Sequence, residues 1–496
     1  MNMRINRSWV GVTALAMALS LQGCGGDEDT TALVTQIPVN TPAAIAQESA
    51  DDYNENVNGL ITAATLKRWK DDWINERPAG ITGKLVILQV TAGPSDTAGT
   101  TADDAFTVNT SYIKPNGTNV FTYLSPSSEW IQTRSNGVIE TASMVPDGAA
   151  MDALLKKYNI DPQNDMIVAA MGTGNTGNAM SQGRIWYALR YWGVDKKNLA
   201  ILNGGNSWLT AQAQTLPAGL SSADFAATAS SAPNNGHASV RDLLVDNTQL
   251  QATVGDMLRI LPASDTNVLN DGVFIWDARN TSQYSAGETS TANTITPVAA
   301  YMTTFQNSGS RQGHPWGALQ LDFSNMLDST KGYAYKSKAD LQAFMDGNVN
   351  ASGAGFIDGS YQHVGAGNAY QPGDVIYTFC ETTFRAMITG MVSTVILGMP
   401  TRFYDGAMVE WNSLTGGSVI TDATGNAILP DDSPWRTDVR SFYRAASSPT
   451  LVAQRYITDA YASSSNKIIE ADKAYKYGEV IPTAGTSAPP ANPCGG

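Results

Sequence analysis

One cysteine stands where a strand is predicted to end and a helix to begin. The apolar segment 374–380 predicts the strand, and it runs directly into the six residues Cys380-Glu-Thr-Thr-Phe-Arg385. A thiolate is a strong nucleophile, and the N–H groups of a strand-to-helix loop lower the pKa of a cysteine without a separate base. Arg385 adds a charge that can pair with an incoming anion. The spacing therefore predicts nucleophilic thiol chemistry at Cys380.

A structural interpretation of Cys380 stays open beside this one. Free cysteines are among the most buried side chains, and most of them pack as small apolar groups. On this interpretation Cys380 closes a strand end and does no chemistry. Glu381 also places an anion next to the thiol, which at a few ångströms repels an anionic reactant by on the order of 1 kcal/mol or more.

The elements that would position Cys380 occur twice along the chain. Three apolar strands are predicted in each half, at 85–90, 165–171 and 199–202 and again at 273–277, 374–380 and 401–404. Apolar strands that alternate with helices predict an α/β fold, with a parallel sheet and right-handed crossovers in each half. Sheets of this kind bind ligands at the carboxyl ends of their strands, which is where the Cys380 loop is expected.

The second half carries a series of short motifs that resembles the successive signatures of the rhodanese family. The motifs are Asp277-x-Arg279, Gly313-His314-Pro315-Trp316-Gly317-Ala318, Cys380 to Arg385-Ala386, Gly398, Asp405-Gly406 and Glu410-Trp411. The first half resembles the inactive N-terminal domain of tandem sulfurtransferases through Arg184, Gly193 and the segment 202–208. The resemblance implies two rhodanese-like domains, at 55–220 and 240–415, each a parallel sheet flanked by helices.

The resemblance also implies an activity. A rhodanese-like sulfurtransferase stores sulfane sulfur as a persulfide on one cysteine, here Cys380, while the backbone amides of 381–385 stabilise the persulfide and Arg385 orients the donor. The donor would be thiosulfate or another persulfide donor, and no cofactor is implied. Related phosphatases and arsenate reductases separate the cysteine and the arginine by six positions, whereas five separate them here. Phosphatase activity is therefore disfavoured.

The remaining site residues receive roles by the same resemblance. The residues expected to form the substrate-binding loop are Glu381, Thr382, Thr383 and Phe384. Asp277, Arg279 and His314 are expected to lie near the site in structural roles, tying strands to loops, and none is expected to act as a general base. The partner is then a small sulfur donor or acceptor, or the persulfide of another protein.

The first half contains a second motif at the corresponding strand end. Gly172-Thr-Gly174-Asn-Thr-Gly177 matches a dinucleotide-binding fingerprint in its spacing. That function is rejected because the next strand ends at Leu202-Asn203, without the acidic residue that would bind a ribose. We interpret the motif as a lengthened, degenerate version of the Cys380 loop, with Met171 in the cysteine position. A half without a thiol is expected to pack against the other half and form a wall of its site.

The N-terminus predicts export. Arg4 and Arg7 precede an apolar run, 9–21, of the length typical of a signal peptide, and the run ends in Leu21-Gln22-Gly23-Cys24. This ending resembles the bacterial lipobox, which implies a signal peptide at 1–24 and lipidation of Cys24. An ordinary cleaved signal peptide is the alternative.

Export would place the chain outside the cytoplasm. In a Gram-negative cell the resemblance implies a lipid-anchored protein of the outer membrane, joined to its anchor by a flexible tether at 25–50. The membrane would be contacted through the lipid alone. A second functional hypothesis follows: a non-enzymatic accessory lipoprotein of an envelope assembly, respiratory or redox, that uses an inactive rhodanese-like fold.

Composition excludes several other classes. The 496 residues carry a formal charge of −14 and no basic stripe, so nucleic-acid binding is not expected. With three histidines and three cysteines, none of them paired in a metal-binding spacing, a zinc or haem site has no support. The region 416–496 is predicted to be a C-terminal extension with a helix near 452–462 and a third cysteine, Cys494, in its tail.

Overall fold

The computed structural model describes nine segments of the chain, all within one compact unit that begins at Ile37. These segments are 37–93, 112–136, 140–209, 219–285, 312–413, 420–421, 427–428, 438–443 and 466–478. The predicted signal peptide with Cys24, the predicted helix at 452–462 and Cys494 lie outside them. Across the described segments, no helix combines the length and the hydropathy needed to span a bilayer.

The first half forms a five-stranded parallel sheet. Its strands are β1 Gly59–Ile61, β2 Leu85–Gln89, β3 Val120–Leu124, β4 Met166–Ala170 and β5 Leu199–Leu202. Their spatial order is β1-β5-β4-β2-β3, and every neighbouring pair is parallel. β2 and β4 are buried at every position, as expected of central strands covered on both faces.

The second half repeats this arrangement. Its strands are β6 Gln251–Ala252, β7 Val273–Asp277, β8 Leu319–Gln320, β9 Val375–Phe379 and β10 Thr401–Tyr404. Their order, β6-β10-β9-β7-β8, is the order of the first sheet, and again every neighbouring pair is parallel. The predicted α/β class, with one parallel sheet in each half, is confirmed.

Helices flank both sheets. Those of seven or more residues are α1 Ala63–Asp71, α2 Gly148–Tyr158, α3 Thr176–Tyr191, α4 Val254–Ile260, α5 Lys338–Met345, α6 Arg385–Met391, α7 Ala407–Ser413 and α8 Lys467–Tyr477. α6 continues into a π-helical turn, Val392–Ile396. Shorter helices are Pro42–Ile45, Trp73–Glu76 and Thr281–Tyr284.

Short antiparallel ribbons complete the fold. The paired segments are Tyr112–Ile113 with Phe225–Ala226, Gln132–Ser135 with Glu140–Met144, and Leu327–Asp328 with Ala334–Tyr335. A further sheet joins Gln312–Pro315, Asp438–Tyr443, Ala427–Ile428 and Ile420–Thr421 in that order.

The two halves share one hydrophobic core. α3 of the first half packs against α6 of the second, and a Cβ on Gly183 would lie 2.7 Å from the Cβ of Met387. Nearby, the rings of Tyr187 and Phe403 lie 4.9 Å apart between centroids. Only a residue without a side chain fits at position 183, because the two helices approach so closely there. The halves therefore form one packed body rather than two domains on a linker.

Residues 37–50 differ from the flexible tether predicted at 25–50. Thr41 caps the helix Pro42–Ile45, and Ile45 is fully buried. The N–H of Gln47 donates to the carbonyl of Thr394 at 2.9 Å, so this segment is bound to the second half. The tether prediction is wrong for these residues, because the buried side chain of Ile45 and a few backbone hydrogen bonds order the segment.

The C-terminal helix α8 packs on the first half of the chain. Asp472 and Arg134 form a buried ion pair at 2.6 Å, and the hydroxyl of Tyr191 donates to Asp472 at 2.7 Å. Lys476 is 9% exposed and donates to the carbonyl of Trp192 at 2.8 Å. The described part of the predicted extension is thus held by charged groups inside the fold.

Candidate functional site

The site predicted from the sequence lies at the carboxyl end of β9. Cys380 follows the last residue of that strand, five loop residues run from it to Phe384, and α6 begins at Arg385. Cys380 is 1% exposed and packs in a small apolar cluster with Ala278 and Ala386, against which the partly exposed Phe323 lies. The thiol therefore lies at the carboxyl end of a central parallel strand and is buried by apolar side chains.

Carbonyl groups of the loop are held by the start of α7. The N–H of Met408 donates to the carbonyl of Cys380 at 3.1 Å, and that of Val409 to the carbonyl of Glu381 at 3.2 Å. Because these carbonyls are turned towards α7, the loop keeps a fixed path over the strand end.

Thr383 fixes the middle of the loop. It has a φ of 61°, in the left-handed region, and it is fully buried. Its hydroxyl is within hydrogen-bond reach of two carbonyls, those of Tyr404 at 2.9 Å and Asp405 at 3.1 Å. These contacts offset the strain that a non-glycine residue has at this φ.

The loop offers backbone donors. Within the described segments, the N–H groups of Thr382, Thr383 and Phe384 have no protein acceptor. A run of backbone N–H groups without a protein acceptor, at the turn from a strand to a helix, is a place where an anion can bind.

Arg385, at the end of the loop, is half-buried and tied to a neighbour. Its guanidinium donates to the side-chain oxygen of Gln283, which lies in the short helix Thr281–Tyr284 and is 4% exposed. No carboxylate among the described residues lies within ion-pair distance of Arg385. Gln283 could not be predicted at the site, because no local pattern connects it with a residue 102 positions away.

Asp277 and Arg279 form a buried pair next to the loop. Nη2 of Arg279 lies 2.6 Å from Oδ2 of Asp277 and also donates to the carbonyl of Gly313, and its Nε lies 2.9 Å from Oδ1 of Asp277. Nη1 of Arg279 lies 3.6 Å from the carboxylate of Glu381. One fully buried guanidinium thus connects the end of β7, the strand Gln312–Pro315 and the residue that follows Cys380.

His314 lies on the far side of this arrangement. It is fully buried, its Nδ1 is 2.7 Å from the carbonyl of Tyr284, and its Nε2 is 3.3 Å from the carboxylate of Asp265. Its ring stacks on the ring of Tyr284 at 3.5 Å between centroids. Nδ1 therefore contacts the end of the helix Thr281–Tyr284, and Nε2 contacts the carboxylate of Asp265.

The corresponding loop of the first half is closed by the protein itself. Met171 stands in the position of Cys380 and is fully buried. A Cβ on Gly172 would lie 1.9 Å from the carbonyl oxygen of Thr91, and a Cβ on Gly174 would lie 2.6 Å from that of Gly332 in the second half. The glycines are required by close backbone contacts, which leave no space for a nucleotide phosphate.

That loop has the same length as its counterpart. β4 ends at Ala170 and α3 begins at Thr176, while β9 ends at Phe379 and α6 begins at Arg385, so each loop has five residues. The prediction of a lengthened loop is wrong. The glycines had suggested an insertion, whereas they permit close packing at an unchanged length.

The first half forms a wall behind the Cys380 loop. The guanidinium carbon of Arg184 lies 5.8 Å from the ring centroid of Phe384, and its Nη1 is 2.6 Å from Oδ1 of Asp405, with both charged side chains fully buried. Oδ2 of Asp405 accepts from the N–H of Val145 at 2.7 Å. A charge in the half without a thiol therefore supports the loop that carries one.

A buried carboxyl group lies in the same interface. Glu410 is 4% exposed, and its Oε1 accepts from Asn136 of the first half at 2.7 Å. Burial raises the pKa of Glu410 to about 7, against opposing hydrogen bonds from Tyr404 and Asn136. Glu410 was noted from the sequence only as part of the motif Glu410-Trp411, and its contact with Asn136 could not be predicted because it depends on how the halves pack.

A polar cavity of about 350 Å³ opens on the same edge of the second sheet. The residues that line it include Thr281, Ser282, Gln320, Leu321, Asp322 and His363. Leu321 and Asp322 directly precede Phe323, the residue that packs against the Cys380 cluster. Phe323, which packs against the Cys380 cluster, is thus next in sequence to two residues that line the cavity.

No protein-family model and no curated protein matches the sequence. Similar solved structures include the Tum1 protein from Saccharomyces cerevisiae, at 13% identity and a TM-score of 0.44, covering 72% of this chain and 95% of that one. SseA from Escherichia coli, reported with the "Rhodanese" fold of 3-mercaptopyruvate sulfotransferases, is 17% identical with a TM-score of 0.42, covering 71% and 98%. The 3-mercaptopyruvate sulfurtransferase from Leishmania major is 12% identical with a TM-score of 0.39, covering 71% and 74%.

Proposed function

We propose that this protein is a sulfurtransferase that carries sulfane sulfur as a persulfide on Cys380. The observation that carries the proposal is the loop itself. A thiol at the end of a central parallel strand is followed by the N–H groups of Thr382, Thr383 and Phe384, which have no acceptor among the described residues. Such donors stabilise a thiolate and the persulfide anion that replaces it.

The transfer has two balanced steps. The Cys380 thiolate attacks the outer sulfur of a donor, a sulfur–sulfur bond forms, and the donor's own bond to that sulfur breaks, with the electron pair leaving on the donor. An acceptor thiolate then attacks the outer sulfur of the Cys380 persulfide, and Cys380 departs as a thiolate. Neither step requires an oxidant or a cofactor, and Arg385 would orient a donor that carries an anionic group.

The reaction needs the thiol to become accessible. Cys380 is 1% exposed, and the side chain over its cluster that reaches solvent is that of Phe323. A shift of Phe323 would open the thiol towards the neighbouring cavity. Motions of this kind admit substrate and exclude water in many enzymes.

The decisive test is the intact mass of the protein before and after incubation with a sulfane-sulfur donor. We expect the gain of one sulfur atom, its removal by cyanide, and its absence in Cys380→Ala. Cys494→Ser is the matched control for loss of another cysteine of the chain and should load as the wild type does. Loading that survives in Cys380→Ala, or no loading of a folded protein by any donor, would exclude the proposal.

A second candidate function is favoured by one observation, the burial of Cys380. In a non-enzymatic binding protein, a cysteine enclosed by Ala278, Ala386 and Phe323 would serve as a small apolar side chain of the core. On this alternative the chain is an accessory lipoprotein of an envelope assembly. Alkylation rates distinguish the two: a thiol activated by the loop should react with iodoacetamide below pH 7 in the folded protein, and an inert buried one should not.

We further propose that the chain acts in the cell envelope, anchored by a lipid on Cys24. The support is the sequence Leu21-Gln22-Gly23-Cys24 after an apolar run. Metabolic labelling with a fatty acid should mark the wild type and leave Cys24→Ser unlabelled. Label in both proteins, or in neither, would contradict the anchor.

A further inference from the structure

The cavity of about 350 Å³ at the second sheet has the volume of a site for a small organic molecule. The residues that line it include the hydroxyl of Thr281, the amides of Gln320 and Asn325, and two ionisable side chains, Asp322 and His363. In the part of the chain that the structure describes, no lysine or arginine lines it. The cavity therefore offers hydrogen bonds to a small polar ligand and a negative charge to a cationic one.

Asp322 has one carboxylate oxygen available to such a ligand. The residue caps the short helix Phe323–Met326, where its Oδ1 accepts from the N–H of Ser324 at 2.8 Å and from the hydroxyl of Ser324 at 2.6 Å. Among the described residues, Oδ2 of Asp322 has no hydrogen-bond donor and no cation within ion-pair distance. A partly exposed carboxylate oxygen at a polar cavity favours a ligand with a strong donor, and an ammonium group is such a donor.

The cavity lies two strands away from the loop that carries the thiol. Gln320 is the last residue of β8 and pairs with Asp277 of β7. On its other side Asp277 pairs with Phe379, the residue before Cys380. Neighbouring strands are about 4.8 Å apart, so the backbone beside the cavity and the backbone at the thiol are separated by about 10 Å.

The same neighbours stay in contact beyond the ends of the strands. The N–H of Phe323 donates to the carbonyl of Ala278 at 3.2 Å, and the N–H of Ala278 donates to the carbonyl of Phe379 at 3.0 Å. Ala278 and Phe323 also pack in the apolar cluster of Cys380. Asp322 directly precedes Phe323, so a short molecule bound to its carboxylate can reach the outer sulfur of a Cys380 persulfide once the ring of Phe323 shifts.

We propose that this cavity binds the sulfur acceptor, and that the acceptor is a small aminothiol whose ammonium group is held by the carboxylate of Asp322. The inference rests on the proposed sulfur transfer and specifies its second step. The aminothiol gives its thiol proton to solvent, and its thiolate attacks the outer sulfur of the Cys380 persulfide. A new sulfur–sulfur bond forms, the bond within the Cys380 persulfide breaks, and its electron pair leaves on Cys380 as a thiolate. The aminothiol departs as its own persulfide.

Three small thiols of different charge test this assignment. They are cysteamine, which carries an ammonium group, neutral 2-mercaptoethanol, and 3-mercaptopropionate, which carries a carboxylate. Full-length protein is first loaded with sulfur on Cys380, and the loss of that sulfur to each thiol is followed by intact mass. Asp322→Asn should lower the rate with cysteamine about tenfold relative to the rate with 2-mercaptoethanol, because an ammonium–carboxylate hydrogen bond is lost. The relative rate with 3-mercaptopropionate should rise. These ratios cancel any general change in the reactivity of the persulfide.

Asp328→Asn is the matched control. Asp328 caps the helix Ser329–Lys331 in the same way, since its Oδ1 accepts from the N–H of Thr330 at 3.0 Å and from the hydroxyl of Thr330 at 2.6 Å, but it does not line the cavity. Asparagine caps a helix as well as aspartate does, so both variants should fold, and Asp328→Asn should leave the ratios unchanged. In the wild type, added salt should slow cysteamine more than 2-mercaptoethanol because it screens the attraction to Asp322. This last result does not depend on the folding of any variant.

The possible failures are distinguishable. If Cys380 loads but Asp322→Asn changes the rates with all three thiols equally, or changes none of them, the assignment of the cavity is overturned while sulfur transfer by Cys380 stands. An equal change of the ratios in Asp328→Asn would overturn it as well. If no donor loads Cys380, the proposed function and the inference both fail.

Discussion

We expect the buried carboxyl of Glu410 to make the stability of the protein depend on pH. This carboxyl is buried between the two halves, accepts a hydrogen bond from Asn136 at 2.7 Å, and lies five residues beyond Asp405. Burial, as the largest cause, raises its pKa from 4.5 to about 7, and the negative charge of Asp405 adds to this. In the unfolded chain the same carboxyl is solvated and titrates near its ordinary value.

The sign of the effect follows from proton binding. Between pH 4.5 and about 7 the folded state holds a proton on Glu410 that the unfolded state has lost. The free energy of unfolding therefore decreases as the pH rises through this window. Above pH 7 the buried charge costs about 3 kcal/mol, because a tenfold change in proton affinity corresponds to about 1.4 kcal/mol.

Glu410→Gln keeps the shape of the side chain and removes the titration. We expect urea denaturation at pH 5, 6, 7 and 8 to show that the free energy of unfolding of the variant, relative to that of the wild type, increases with pH. The increase between pH 5 and pH 8 should be about 3 kcal/mol. Glu470→Gln, at an exposed position of α8, is the matched control and should give the same difference at every pH. A difference between Glu410→Gln and the wild type that stays constant from pH 5 to 8 would refute the reasoning.

Three other perturbations have expected outcomes. Asp405→Asn should lower the free energy of unfolding by about 3–5 kcal/mol in urea denaturation, because it leaves Arg184 charged and buried without its partner, and a second change, Arg184→Met, should recover part of that loss. Gly183→Ala should destabilise the protein by about 1–3 kcal/mol in the same assay despite the higher helix propensity of alanine, because its Cβ would press on Met387. Burial lowers the pKa of Lys476 to about 8, so the wild type should become more stable as the pH rises from 8 to 10.5, and Lys476→Met should lack this rise.

The features that could be predicted from the sequence are those that depend on local patterns of residues. β7 and β10 were predicted at their observed bounds, and β9 within one residue of each end, because central parallel strands are continuous apolar runs. The Cys380 loop could be placed because it follows such a run and precedes a helix. A parallel sheet in each half was likewise predicted, from the repeat of strand, loop and helix.

The features that were missed depend on tertiary contacts. The bond from Arg385 to Gln283 and the burial of Glu410 against Asn136 join residues that no local pattern relates. Segment 37–50 was predicted to be part of a tether, yet Ile45 is buried. Amino-acid composition indicates only how much free energy the ordering of a segment costs on average. It does not indicate a specific contact, here the burial of Ile45, that offsets this cost.

The core shared by α3 and α6 has a consequence for how such a chain can change over generations. Arg184 belongs to the half that has no thiol, yet it supports the loop that has one through Asp405 and Phe384. Deletion or exchange of the first half would therefore also remove contacts that hold the Cys380 loop, so the two halves cannot be altered independently.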